Sequence, residues 1–126
     1  MRLLESALYV DDLDRAERFY RDVLGLAPLF RNERLCALDA GGQTILLLFK
    51  RGASLSMSTP HDGSGPLHAA FAISLLELDY WEQRLASHAI QVEERTTWPR
   101  GGMSLYFRDP DGHLLELATP GIWGTY

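Results

Sequence analysis

The chain has 126 residues, 46% of them hydrophobic and 10% aromatic, enough for one well-packed core and short for two ordinary domains. A formal net charge of -5 and a pI near 5.3 exclude a nucleic-acid footprint and electrostatic attraction to anionic membranes, which leaves small-molecule chemistry. Cys36 is the only cysteine, so one chain holds neither a disulfide nor a thiolate metal cluster, and a small buried apolar role is expected for it.

Met1-Arg2-Leu3-Leu4-Glu5 meets charge too early for a secretory signal, and no run approaches the ~20 apolar residues of a membrane span; the expected compartment is the cytoplasm. Leu3 to Val10 alternates as a strand, with Glu5, Ala7 and Tyr9 on one face and Leu4, Leu8 and Val10 on the other. Asp11-Asp12 then cap a predicted helix over Leu13 to Val23, and Gly25 lies past its end. Ala27 to Arg31 and Arg34 to Leu38 read as strands around a polar turn, followed by Asp39-Ala40-Gly41-Gly42 and a strand over Gln43 to Lys50. Gly52 to Pro66 carries Ser, Gly, Pro and Thr without a period and reads as a linker or loop.

The pattern then restarts. Leu67 to Ser74 is a predicted strand, and Leu76 to His88 a helix with Leu78, Trp81, Leu85 and His88 on one stripe. A strand over Gln91 to Arg95, an irregular Trp98 to Gly102 loop, and strands over Ser104 to Arg108 and His113 to Ala118 complete the chain. Between the last two, Asp109-Pro110-Asp111-Gly112 spells a tight turn, because proline presets φ and glycine supplies a positive φ.

Each half therefore reads β-α-β-β-β, and an offset of 63 residues lays Val10 on Ile73 and Glu5 on His68. An offset of 70 lays Asp39 on Asp109 and Leu46 on Glu116. The fold class expected is α+β, with two βαβββ modules in a single domain: module one about 2–52, a linker about 53–66, module two about 67–120 and a tail 121–126.

A pseudo-two-fold axis between such halves would gather Glu5, His68, Leu46 and Glu116. Glu116 lies among apolar neighbours, and an unpaired carboxylate costs several kcal/mol to bury, so it needs a cation, a hydrogen-bond network or a proton. Imidazole plus carboxylates suit Zn, Mn, Fe, Ni or Co and leave positions open for substrate. The alternatives are an exposed Glu5 at a strand end, a core His68 bonded to a carbonyl, and Glu116 paired with Arg95 or Arg108.

These residues resemble the vicinal oxygen chelate superfamily, which includes glyoxalase I, fosfomycin-resistance thiol transferases, extradiol dioxygenases and bleomycin-binding proteins. Met1 to Glu5, Asp12-Leu13, Phe19-Tyr20 and Val23 to Leu26 resemble the opening of glyoxalase I. His68 to Phe71 and Tyr106 to His113, through Glu116, resemble the second module of the fosfomycin enzymes. The resemblance implies an open cup-shaped mixed sheet, a homodimer, and metal ligands at Glu5, His68 and Glu116. It also implies contacts to a small-molecule substrate from Ser104 and Tyr106. Thr96 stands where a fosfomycin enzyme has lysine, and Leu46 where a glyoxalase has its further Glu.

The function expected is a metal-dependent enzyme of lyase, isomerase, thiol transferase or dioxygenase type acting on a small oxygen-rich substrate. Glu116 and Tyr106 are its candidate catalytic residues, with Tyr106 donating a hydrogen bond or proton. Trp98 and Arg100 form a candidate rim. The alternative is a metal-free protein that sequesters a ligand in the cup, as the bleomycin-binding relatives do.

Overall fold

A computed structural model describes residues 1–126. The chain forms two compact units, Met1–Gly65 and Pro66–Tyr126, and no helix is long and apolar enough to cross a membrane.

The first unit runs β1 (Glu5–Val10), α1 (Leu13–Asp22), β2 (Ala27–Arg31), β3 (Leu35–Asp39) and β4 (Ile45–Lys50). Its mixed sheet has the order β1-β4-β3-β2, with β1 parallel to β4 and the other pairs antiparallel. The parallel pair needs a crossover, and α1 is part of it. Asp12 caps α1 by accepting from the Arg15 N–H at 3.0 Å, which also holds its carboxyl below the usual range. Gly25, at φ 74°, ends the helix, with its own N–H on the Arg21 carbonyl and that of Leu26 on the Tyr20 carbonyl. Leu13, Ala16, Phe19 and Tyr20 are buried along with Leu8, Val10, Cys36, Leu38, Leu46 and Leu48, so alternate strand positions supply the core under the helix.

The second unit runs β5 (His68–Ala72), a 3-10 turn (Leu75–Glu77), α2 (Leu78–Ser87), β6 (Glu94–Thr97), β7 (Met103–Arg108) and β8 (Leu114–Ala118). Its sheet order, β5-β8-β7-β6, repeats that of the first unit, with β5 parallel to β8. Leu105, Phe107, Leu115 and Leu117 are fully buried on one face. The predicted helix differs at its start: Ser74 and Glu77 form a capping box around the 3-10 turn, and α2 begins only at Leu78. Of its predicted stripe, Leu85 is buried, Leu78 and Trp81 are half-buried and His88 is exposed. Strand β6 starts at Glu94 rather than Gln91, because its pairing to β7 is fixed by Glu94 opposite Tyr106 and Thr97 opposite Met103.

Strand register corrects the sequence alignment of the two halves. Glu5 pairs with Ile45 and Ala7 with Leu47, whereas His68 pairs with Leu114 and Ala70 with Glu116. The counterpart of Glu116 is therefore Leu47, at an offset of 69; Leu46 lies one residue away, on the helix-facing side. The aspartates that suggested the other alignment are not equivalent. In the first turn Ala40 donates to the Thr44 carbonyl, and in the second Asp109 donates to that of His113.

Candidate active site in the second unit

The site is built on three adjacent strands. Parallel pairing of β5 with β8 sets Ala70 beside Glu116, and antiparallel pairing of β7 with β8 sets Tyr106 beside Glu116 from the other side. The Asp-Pro-Asp-Gly turn enforces this register. Gly112, at φ 83°, donates to the Asp109 carbonyl, and Asp109 Oδ1 accepts from the N–H groups of Asp111 and His113. His113 is fully buried, and its Nδ1 accepts from the Leu67 N–H at 2.9 Å, tying the turn to the start of β5. The sequence motif that ends at His113 carries no structural role for it. Its place immediately after a turn, next to a strand-forming run, was the available signal.

Glu116 is 7% exposed and fully partnered on one oxygen. Its Oε1 accepts from the Ser104 hydroxyl at 2.5 Å and from the Tyr106 hydroxyl at 3.1 Å. Its Oε2 faces His68 Nε2 at 3.3 Å. His68 Nδ1 lies 3.0 Å from the Leu114 carbonyl, and a carbonyl only accepts, so Nδ1 carries the proton. Neutral His68 thus presents an Nε2 lone pair to a carboxylate lone pair. Two acceptors at that distance require a proton between them, on either partner, or a metal ion.

A cavity of about 430 Å³ opens on this pair, lined among others by Trp98, Tyr106, Ile122, Trp123 and Tyr126. It falls within the usual range of small-molecule sites, about 300–1,000 Å³. Its floor is made of small residues, Ala70, Ala72 and Ala118. Burial, with a smaller contribution from the neighbouring Glu116 charge, pushes the Tyr106 hydroxyl above its ordinary value, so it stays a proton donor at neutral pH.

Of the residues expected from sequence, His68, Glu116, Tyr106 and Trp98 meet here. Ser104 is 1% exposed and does not line the cavity; its hydroxyl is shared between Trp98 and Glu116, so it stands behind the carboxylate rather than against a ligand. Arg100 is exposed and is not among the lining residues. Glu5 is exposed at the start of β1, and no group of three His, Cys, Asp or Glu side chains able to hold a metal ion occurs in the chain. Pairing of Glu116 with Arg95 or Arg108 is not seen: Arg95 pairs with Glu82, and Arg108 with Glu93. The tail residues Ile122, Trp123 and Tyr126 complete the wall. Tyr126 is anchored by its hydroxyl to the carbonyls of Ile73 and Ala118 at 3.0 and 3.1 Å.

Residues 2–117 match the model of the Glyoxalase/Bleomycin resistance protein/Dioxygenase superfamily. The chain belongs to this superfamily. It is 31% identical to the metallothiol transferase FosB of Bacillus licheniformis, over 90% of this chain and 72% of that protein. It is 32% identical to biphenyl-2,3-diol 1,2-dioxygenase 3 of Rhodococcus globerulus, over 94% of this chain and 66% of that protein. The crystal structure of lactoylglutathione lyase from Agrobacterium tumefaciens superposes with a TM-score of 0.91 and 36% identity, covering 98% of this chain and 96% of that one. These superfamily relatives are enzymes of three reaction types, and the α+β fold of repeated βαβββ modules is the superfamily's.

Proposed function

We propose that the protein is a metal-dependent enzyme whose substrate has an oxygen-bearing head and a compact apolar or aromatic body. The observation that carries this reading is the His68 Nε2 to Glu116 Oε2 pair, two cation-seeking atoms on the wall of a cavity. One nitrogen and one carboxylate oxygen suit a divalent Zn, Mn, Fe, Ni or Co ion, and the carbonyl on His68 Nδ1 is the usual outer partner of a ligating imidazole. A homodimer and a cytoplasmic location belong to the same proposal.

A bound metal would supply Lewis acidity toward oxygens of the substrate head. The chain's own residues do the rest. Glu116 supplies negative charge at the cavity wall. Tyr106, protonated and within reach of the same space, re-aims its hydroxyl from Glu116 Oε1 to a substrate oxygen and stabilises charge developing there. Trp98, Ile122, Trp123 and Tyr126 take the apolar body and exclude water. No lysine or arginine lines the cavity, which disfavours a substrate carrying several negative charges.

The aromatic lining also supports a second reading, sequestration of an aromatic compound without metal. Elemental analysis of protein purified without chelators separates the two. The enzyme reading expects about one metal per chain, lost in Glu116→Ala; substoichiometric metal that is the same in both proteins would overturn it.

A further inference from the structure

Ser104 and Trp98 form a directed chain to the Glu116 carboxylate. An indole N–H donates only, so in the Trp98 Nε1 to Ser104 Oγ bond of 2.8 Å the serine oxygen is the acceptor. The serine proton is then committed to Glu116 Oε1, at 2.5 Å. Tyr106 donates to that same oxygen, and Oε2 is left facing His68. The carboxylate is thereby turned, with its protein donors on one oxygen and the other directed at the imidazole nitrogen.

Trp98 is itself held. Its backbone N–H donates to the Gly102 carbonyl at 2.7 Å and its carbonyl accepts from Gly101 at 2.9 Å. Gly102 has backbone of Gly121 so close that an added Cβ would lie 2.7 Å from the Gly121 carbonyl carbon. The indole is therefore fixed from the loop side and reaches the carboxylate through one hydroxyl.

We propose that Trp98 is a positioning residue that sets the orientation and donor strength of Glu116 toward a metal ion, acting through Ser104. The proposal rests on the metal reading of the His68–Glu116 pair. It differs from a rim role in that the indole N–H, not the ring face, is what counts. Loss of an outer-shell partner typically weakens metal binding by about 10–100-fold.

The test titrates Co(II) alone into metal-free full-length protein and follows the cobalt d–d absorption, which reports affinity and ligand geometry separately. Wild type, His68→Ala, Ser104→Ala, Trp98→Phe and Trp98→Phe/Ser104→Ala are compared, each after a thermal melt; Trp98→Leu is carried in parallel should Trp98→Phe not fold. Ser104→Ala is expected to bind Co(II) about 10–100-fold more weakly, and Trp98→Phe about 3–10-fold more weakly with a shifted spectrum. The double variant is expected to be no weaker than Ser104→Ala, since the two act in series. Folded Trp98 variants with wild-type affinity and spectrum would overturn the proposal while leaving the metal reading intact. So would losses that add fully in the double variant. Wild type that takes up no more Co(II) than His68→Ala would instead sink the metal reading, and the proposal with it.

Discussion

His68 Nε2 and Glu116 Oε2 face each other across 3.3 Å, and with His68 Nδ1 donating to the Leu114 carbonyl two lone pairs oppose each other unless a proton or a metal ion lies between them. Glu116→Gln resolves that opposition without changing shape. The amide oxygen keeps the bonds from Ser104 and Tyr106, and the amide N–H₂ donates to Nε2. A buried carboxylate is thereby replaced by a satisfied neutral group, so with both proteins metal-free the variant's stability is expected to equal or exceed wild type by about 1 kcal/mol, and the variant takes up no metal. Urea unfolding together with elemental analysis checks both halves. A less stable variant that retains its metal would contradict the account of the pair.

His113 offers the converse case, a buried polar group with a structural task. His113→Ala removes a fully buried ring and strands the Leu67 N–H at the start of β5. The expected loss is about 2–4 kcal/mol. His113→Asn, which keeps an acceptor, should recover part of it. Equal denaturation midpoints for the two variants would show that the acceptor does not matter.

These two histidines also show what was legible in the sequence. His68 stood out because it fell opposite Glu5 in a repeat, and Glu116 because it interrupted an apolar strand. Element order was readable for the same reason: alternation and caps are local signals, and both halves carry them. Strand register was not readable, since it depends on which backbone groups pair across β1 and β4, and a one-residue slip placed Leu46 where Leu47 belongs. The resemblance implies a substrate contact for Ser104, but a hydroxyl's actual partners, here Trp98 and Glu116, are not visible in sequence, and the Tyr126 anchor lies in a tail without periodicity.

Cys36 is fully buried, and that burial, assisted by nearby Glu17, pushes its thiol up to about 11 from 9.0. Folding therefore favours the protonated thiol. The resulting contribution, about 2–3 kcal/mol, is complete below about pH 9 and is lost as pH rises through about 11. Cys36→Ala is expected to show a flatter fall in stability between pH 9 and 11 than wild type, measured by urea unfolding at each pH. A thiol reagent should label native Cys36 at pH 8 only at the rate of unfolding; rapid labelling would refute its protection.

The tail hinges on Gly121, at φ 107°, where an added Cβ would lie 2.6 Å from the Gly102 nitrogen. Backbone on both sides leaves no flexible atom to yield, so Gly121→Ala should lift Ile122, Trp123 and Tyr126 off the cavity. Unfolding should change little, because the strands do not depend on the tail, while chymotrypsin cleavage after Trp123 accelerates. Tyr126→Phe, lacking the bonds to Ile73 and Ala118, should move in the same direction at a cost of about 1 kcal/mol to tail docking. Unchanged cleavage in both would mean that the tail is held by other contacts.

The two sheets share a plan but not a cavity, and two alanines account for the difference. Ala72 and Ala118, on the floor of the second unit's cavity, have as repeat counterparts Tyr9 and Phe49, which pair across β1 and β4 as Ala72 and Ala118 pair across β5 and β8. In the first unit those rings stack at 5.8 Å, and His61 lies against both, its Nδ1 2.8 Å from the Tyr9 hydroxyl. Space that the second unit leaves open is thus occupied by side chains in the first. Ala70 keeps its small size in both, as Ala7, so the filling is done by the other two positions. Ala72→Tyr/Ala118→Phe transplants that filling. Because the substitutions point into a void, the variant should fold and lose no more than about 1–3 kcal/mol. Co(II) uptake at His68 and Glu116 should persist within a few-fold, whereas binding of a small aromatic probe such as a catechol, followed by quenching of tryptophan fluorescence, should vanish. Retained probe binding would show that ligands of this class do not use the alanine floor.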